Sequence, residues 1–329
     1  MSRDMMPHFE LFQPDTLDGA LELAKRLESR AWLLAGGNDS LDWFKDRAKH
    51  PEAVIDLSGI AALRGVKETA QGVEIGALTT LSEIERDPVL RERYGLLASA
   101  ASHVASPQIR NSATLGGNLC QDARCWYYRS GVNCYRAGGN ACYADTPQGQ
   151  NREHCLYGAS RCVAVSPSDT ATACVALDAQ MVIHGPQGEK LVPAEQFFVG
   201  PAVNITHMTL LQPGEILTAV RLPKSWAGAK FYFEKVTDRG SWDFPLVSVA
   251  AAMILEGEII KSIRIACGAV ECVPRRLKVV EQAVTGSMRN EELAQLAGKT
   301  AVQGATPLNF NHFKIPLMEN LVRRAIRDA

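Results

Sequence analysis

The sequence lacks a long apolar run, an excess of charge of one sign, and a basic start followed by an apolar stretch. No apolar segment approaches the roughly 20 residues that a helix needs to cross a bilayer, so no membrane span is predicted. Lys and Arg number 35 against 36 Asp and Glu, which excludes a general electrostatic attraction to nucleic acid or to an anionic membrane. Because the opening residues show no secretory signal, a cytoplasmic location is predicted.

What is present is the composition of a globular chain. The 329 residues are enough for two or three domains, with 46% hydrophobic and 22% charged residues. Apolar spacing predicts a small α/β unit over about residues 1–60. A longer helix is predicted over 89–104, ending before Pro107. Beyond about residue 224 the pattern changes to three strands of an antiparallel meander followed by helices, so a domain boundary is predicted near Pro223.

Two glycine-bearing loops are the first candidates for a binding site. Ala35-Gly-Gly-Asn38 follows a predicted strand, and Thr114-Leu-Gly-Gly-Asn118 lies about eighty residues later. Glycine lets backbone amides approach an anion closely, which is what a pyrophosphate requires. Either loop alone is as readily an ordinary turn, and the first does not match the dinucleotide fingerprint. The pair indicates one extended diphosphate ligand held from both sides, with a structural role as the alternative.

Two further segments carry polar groups of interest. Ser166-Pro-Ser-Asp169 precedes a predicted helix, where it is either an N-cap or a group that bonds the sugar of a ligand. Lys235 lies in a charged run, which is either a solvated surface or a source of a cation facing an electron-rich ring.

Cysteine is abundant and clustered. The chain has nine cysteines, and six of them fall between residues 120 and 162 in a stretch with no regular periodicity. Disulfide frameworks are typical of small secreted chains, so this cluster favours a metal or iron–sulfur site, with disulfides or unpaired thiols as alternatives. No CxxC pair occurs and the histidines are scattered, so spacing alone does not separate zinc from an iron–sulfur cluster.

The motifs together resemble a known family. Ala35-Gly-Gly-Asn-Asp39, Ala113–Leu119, Ser166–Asp169 and Lys235 with Asp243-Phe-Pro occur in the order seen in the FAD-binding medium subunit of molybdenum hydroxylases. The resemblance covers essentially the whole chain. It implies an α+β fold with a two-part FAD-binding domain over 1–223, consisting of a small α/β lobe at about 1–60 and a larger α+β unit. A C-terminal domain over 224–329, an antiparallel sheet with helices, would follow.

The cysteine stretch resembles the iron–sulfur loop of the 4-hydroxybenzoyl-CoA reductase medium subunit and of bacterial aldehyde oxidoreductases with a similar loop. In those relatives four cysteines hold a [4Fe–4S] cluster. The resemblance implies that the ligands here are Cys125, Cys134, Cys142 and Cys162. Cys155 is a competing thiol for the fourth position. Nearby aromatic side chains would either shield the cluster or simply pack the insert.

The same resemblance implies the FAD contacts. The pyrophosphate would be held by Ala35, Gly36, Gly37, Asn38, Asp39, Thr114, Gly116, Gly117 and Asn118. Asp169 would bond the ribose or ribityl region, and Leu217 and Lys235 would lie near the isoalloxazine ring. No catalytic residue is predicted in this chain.

The implied function is that of an electron-transfer subunit in a heterotrimeric oxidoreductase. A large subunit with the molybdenum cofactor would transform the substrate, a small subunit would carry [2Fe–2S] clusters, and an external donor or acceptor would exchange electrons with the complex. Export on a partner subunit's signal stays open. The alternatives are a stand-alone FAD-dependent oxidoreductase and a non-redox protein with a structural zinc loop.

Overall fold

The computed structural model describes residues 6–329, which begin with a small three-layered unit. Its parallel sheet has the order β1-β3-β2 and is flanked by two helices. The first helix begins where the Thr16 side chain accepts the backbone N–H of Gly19 at 3.2 Å. Its buried face packs on the sheet at Ile55. The elements are β1 (Glu10–Phe12), α1 (Leu17–Leu27), β2 (Ala31–Leu34), α2 (Ser40–Lys45) and β3 (Ala53–Asp56).

A larger unit follows, built on an antiparallel sheet of five strands. The strand order is β4-β5-β8-β6-β7, and short helices cover one of its faces. The cysteine stretch joins α7 to α9 and contains a short α-helix, α8, and a 3-10 turn at Tyr135–Ala137. The elements are β4 (Val66–Thr69), β5 (Gly72–Gly76), α3 (Leu81–Arg86), α4 (Pro88–Arg93), α5 (Gly95–Ser102), α6 (Pro107–Arg110), α7 (Leu115–Leu119), α8 (Trp126–Arg129), α9 (Asp169–Ala176), β6 (Gln180–Gly185), β7 (Gly188–Pro193), α10 (Ala194–Phe197) and β8 (Ile216–Pro223).

The long helix predicted over 89–104 is wrong, because the structure breaks it into α4 and α5. Tyr94 leaves the helical region, with φ −136° and ψ 42°. Its ring is fully buried, and its hydroxyl donates to the carbonyl oxygen of Pro223 at 3.3 Å. The burial of one large aromatic side chain at this corner therefore outweighs the continuity of the helical pattern. The second glycine segment is also helical, since Gly116 and Gly117 lie within α7.

The C-terminal unit is an antiparallel sheet of four strands covered by helices, as the sequence predicts. The strand order is β12-β11-β10-β9. In β10, Val249 and Met253 face the C-terminal helices, while Ala250 and Ala252 face the core of the larger unit. β10 is therefore buried on both faces along most of its length, which explains its nearly continuous apolar sequence. The elements are β9 (Lys230–Val236), β10 (Val247–Glu256), β11 (Ile259–Gly268), β12 (Arg275–Arg276), α11 (Lys278–Val284), α12 (Glu291–Ala301) and α13 (Lys314–Asp328).

The predicted α+β class, with an antiparallel C-terminal sheet, is confirmed. Within residues 6–329, no helix is both long enough and apolar enough to cross a membrane.

Candidate functional site

The two glycine loops lie against each other. A Cβ atom built on Gly36 would come within 2.1 Å of the carbonyl oxygen of Ser112, two residues before Thr114. The Asn38 side-chain amide donates to the Ser112 hydroxyl at 3.1 Å. Glycine at position 36 is therefore required for this close approach. The two loops lie side by side, as one ligand held from both sides would require.

The first loop also leaves backbone donors free. The left-handed conformation of Gly37, with φ +78°, turns the chain from β2 into α2. Across the part of the chain that the structure describes, the amides of Gly37, Asn38 and Asp39 have no protein acceptor. Consecutive free amides of this kind form the concave cradle that binds a phosphate oxygen.

The second loop is fixed from both ends. Thr114 caps α7 by accepting the N–H of Gly117 at 3.1 Å, and Gly116 donates its N–H to the carbonyl of Ala77 at 2.8 Å. A Cβ on Gly116 would meet the Ala77 Cβ at 2.9 Å, so the segment packs too closely for a side chain. The side-chain amide oxygen Oδ1 of Asn118 accepts hydroxyl hydrogens from Ser168 at 2.7 Å and from Thr170 at 2.6 Å.

The contacts of Ser168 and Thr170 with Asn118 bring the Ser166–Asp169 segment beside the second loop. Lys235 contacts the same segment. The Lys235 ammonium bonds Oδ2 of Asp169 at 2.7 Å and the carbonyl of His103 at 2.9 Å. Both side chains of the ion pair are almost completely buried. Burial raises the pKa of the Asp169 carboxyl, against the opposing effect of Lys235.

The other oxygen of Asp169, Oδ1, is buried and has no hydrogen-bond partner among the described residues. An unpaired buried carboxylate oxygen is costly and is suited to accept a hydroxyl of a ligand. Ser168 caps α9, as the N-cap alternative for this segment predicts. The solvated-surface alternative for Lys235 is wrong, because its side chain is buried against Asp169. Leu217 lies on β8 opposite Ile183, with its side chain in the core of the larger unit, and β8 contacts α7 of the second loop.

Asp39 connects the first loop to the cysteine stretch. Its carboxylate accepts from Arg129 at 2.6 Å and from Arg124 at 3.0 Å, and it also accepts the backbone N–H of Asp122 at 3.2 Å. The Arg129 guanidinium stacks over the Trp43 ring at 3.7 Å. Sequence reasoning missed these contacts. The available signal was charge, because the stretch 120–162 holds five arginines against three acidic residues.

The four predicted ligand cysteines line one cavity. The cavity holds about 10 Å³, room for at most one water molecule, and is lined by Cys125, Tyr127, Tyr128, Cys134, Tyr135, Arg136, Cys142, Tyr143, Ala144, His154, Arg161, Cys162, Val163 and Ala164. Burial raises the pKa of the Cys125 thiol to about 11 and also raises that of Cys162. Four aromatic side chains, those of Tyr127, Tyr128, Tyr135 and Tyr143, line the cavity beside the thiols. Trp126 does not, since it is 66% exposed beside a neighbouring cavity.

The remaining thiols lie elsewhere. Cys155 does not line the cavity, although its N–H donates to the Val163 carbonyl beside Cys162. Cys120 is exposed, and the three later cysteines are buried in the core. None of the nine cysteines, all within the described range, forms a disulfide. Over residues 6–329, no three Cys, His, Asp or Glu side chains are placed to hold a single metal ion.

A buried charged network supports this cavity. The Arg136 guanidinium is 2% exposed and bonds the Asp122 carboxylate through two nitrogens, at 2.9 and 3.1 Å. The Tyr128 hydroxyl donates to the same carboxylate at 2.8 Å. These contacts hold the pKa of Asp122 below its usual range despite its burial. The backbone N–H of Asp122 donates to the Asp39 carboxylate of the first glycine loop. Asp122 therefore connects that loop to the cavity.

Comparison with known proteins identifies the family. The family model described as the FAD binding domain in molybdopterin dehydrogenase matches residues 7–225, and that of the CO dehydrogenase flavoprotein C-terminal domain matches residues 231–329.

Individual relatives agree with these matches. The chain is 29% identical to the carbon monoxide dehydrogenase medium chain of Hydrogenophaga pseudoflava, over 98% of this chain and 97% of that one. It is 33% identical to the aldehyde oxidoreductase FAD-binding subunit of Escherichia coli, over 91% of each chain. A solved structure of carbon monoxide dehydrogenase from Hydrogenophaga pseudoflava superposes with a TM-score of 0.79 at 29% identity, covering 99% of this chain and 98% of that one. The chain belongs to the family of FAD-binding proteins of molybdopterin dehydrogenases.

Proposed function

We propose that this chain is the FAD- and [4Fe–4S]-binding electron-transfer subunit of a heteromeric molybdenum hydroxylase-type oxidoreductase. The observation that carries the proposal is the continuity of the two sites. Asp39 of the first glycine loop bonds Arg124 and Arg129, and these flank the first cysteine of the four-cysteine cavity. When bound, FAD and an iron–sulfur cluster supply redox chemistry, while this chain positions them and excludes water.

The proposed FAD residues divide by role. The free amides of the first loop and the segment at Thr114, Gly116 and Gly117 hold the pyrophosphate between them. The unpaired oxygen of Asp169 accepts a ribose or ribityl hydroxyl, and Lys235 holds the other oxygen in place. The Asp39 carboxylate is occupied by arginines, so it acts by fixing its loop. Leu217 and Lys235 are proposed to lie on the isoalloxazine side of the site.

The proposed cluster ligands are Cys125, Cys134, Cys142 and Cys162, because all four line the same cavity and four thiolates are the donor set of a [4Fe–4S] cluster. Cys155 lies outside the cavity lining, which favours Cys162 as the fourth ligand. On the resemblance of its insert, we propose that the chain is a member of the iron–sulfur-loop group, which includes 4-hydroxybenzoyl-CoA reductase and certain aldehyde oxidoreductases.

The ligand set is tested with matched serine variants of the anaerobically purified chain. Cys134→Ser and Cys162→Ser are expected to lose iron while FAD stays bound, whereas Cys155→Ser keeps about four irons. Iron retention in Cys134→Ser contradicts the proposed cluster. If Cys162→Ser keeps its iron and Cys155→Ser loses it, the fourth ligand is Cys155 instead.

The proposed partners follow from the relatives, whose names describe medium chains and FAD-binding subunits. A large subunit with the molybdenum cofactor and a small [2Fe–2S] subunit complete the enzyme, and an external donor or acceptor exchanges electrons with it. Within this chain we place the FAD-binding domain at 1–223 and the C-terminal domain at 224–329.

Purification of the tagged chain from its native host tests the assembly. Stoichiometric recovery of two further chains, with molybdenum and additional iron, is expected. Recovery of the chain alone, with FAD and with turnover of a reductant, supports the stand-alone flavoprotein instead. Zinc without flavin supports the structural zinc loop and overturns the proposal.

A further inference from the structure

Among the residues that the structure describes, the His154 ring has a single polar contact. Its Nε2 atom lies 3.3 Å from the sulfur of Cys125. The side chain is buried, and Nδ1 has no hydrogen-bond partner in the described chain. A proton on Nδ1 would be a buried donor without an acceptor, whereas a proton on Nε2 points at sulfur. The contact therefore favours the tautomer in which His154 donates to Cys125.

The backbone of His154 is held from the C-terminal unit. Its N–H donates to the carbonyl of Asn151 at 3.1 Å. Its carbonyl accepts from the Asn311 side-chain amide and from the Lys314 ammonium, each at 3.0 Å. The same Asn311 amide also bonds the carbonyl of Cys155 at 3.0 Å. The ring is thus placed by side chains at the start of α13 and just before it.

Lys314 is fully buried and has no carboxylate partner among the described residues. Its ammonium donates to three backbone carbonyls, those of Glu153 at 2.9 Å, His154 at 3.0 Å and Ala269 at 2.8 Å. A buried cation without a counter-charge is expensive. The four negative thiolates exceed the positive charge of the iron–sulfide core, so a bound cluster is a net anion. A cluster in the adjoining cavity would therefore supply a negative charge near Lys314.

We infer that His154 and Lys314 are positioning residues that raise the reduction potential of the cluster. The inference rests on the proposed [4Fe–4S] site. His154 donates its Nε2–H to the ligand sulfur of Cys125, and the Lys314 ammonium bonds the backbone carbonyl of His154, which fixes that residue's backbone and adds a buried positive charge. Both effects stabilise the reduced cluster more than the oxidised one, because reduction adds negative charge.

The test uses the anaerobically purified holoprotein and measures iron content, FAD content and the cluster potential by a redox titration followed by electron paramagnetic resonance. His154→Leu removes the donor, and His154→Gln is the matched control because its amide can still donate. Lys314→Met removes the charge and keeps most of the stem. His154→Leu is expected to shift the reduction equilibrium about tenfold toward the oxidised cluster, a fall of about 59 mV for one electron. Lys314→Met is expected to shift it in the same direction, and His154→Gln to keep the wild-type potential.

The outcomes separate the two proposals. Wild-type protein without iron overturns the cluster itself. Wild-type and His154→Leu proteins with equal iron and equal potential leave the cluster standing and overturn the inference. If His154→Leu loses iron, Lys314→Met decides: a lowered potential with full iron supports the inference, and an unchanged potential contradicts it.

Discussion

Gly36→Ala tests the close contact between the two glycine loops. The new Cβ would lie 2.1 Å from the carbonyl oxygen of Ser112, 2.9 Å from its carbonyl carbon and 3.0 Å from the Cα of Ala113. All three atoms are backbone, so no side-chain rotation relieves the clash and the loops must separate by about 1 Å. Overpacking of this kind costs about 1–3 kcal/mol. If FAD binds both loops, its affinity falls by about tenfold to a hundredfold.

The assay is titration of flavin-free protein with FAD, followed by the quenching of flavin fluorescence. Gly200→Ala is the matched control, because no atom of residues 6–329 lies within 4 Å of its added Cβ. The control is expected to bind FAD like the wild type, and both variants are expected to keep their iron. An unchanged FAD dissociation constant in a folded Gly36→Ala protein would refute the placement of FAD between the loops.

Three further predictions concern a buried ion pair, two buried thiols and a close backbone contact at a glycine. Lys235→Met leaves the Asp169 charge unpaired and is expected to lower the free energy of unfolding by about 3–5 kcal/mol in urea denaturation, whereas the double variant with Asp169→Asn recovers most of the loss. Burial raises the pKa of Cys174 and Cys267 to about 12, so the unfolded chain releases these protons first and stability falls as pH rises from about 9 towards 12. Above about pH 9, each thiol lowers the free energy of unfolding by about 1.4 kcal/mol per pH unit. Replacing both residues with alanine should reduce this loss between urea titrations at about pH 8 and about pH 10. Gly139→Ala places a Cβ 2.0 Å from a backbone carbonyl oxygen in the turn that carries the second predicted ligand, so iron is expected to fall while FAD content holds.

The sequence predicts local features of this site well. The first glycine loop is identifiable because it follows a short apolar strand, and β2 does end at Leu34. The C-terminal meander is identifiable because β10 and β11 are long and rich in apolar residues, continuously in β10 and in alternation at the start of β11. The grouping of four cysteines around one cavity also agrees with the ligand set that the family resemblance implies.

Other features depend on contacts between residues distant in sequence. The break at Tyr94 depends on a space beside Pro223, more than a hundred residues later. The link from Asp39 to Arg129 spans ninety residues, and the charged pattern of either segment alone resembles an exposed surface. His154 is one of seven scattered histidines, and only the fold brings it to Cys125. Such contacts have no local sequence signal.

The most direct test of the account is the content of FAD, iron, acid-labile sulfide and zinc in the anaerobically purified chain, together with its visible spectrum. The account predicts one FAD and about four irons per chain, with overlapping flavin and iron–sulfur absorption. FAD without iron would contradict the cluster and leave the cysteine cavity without its proposed ligand. Zinc with no flavin would contradict the account as a whole.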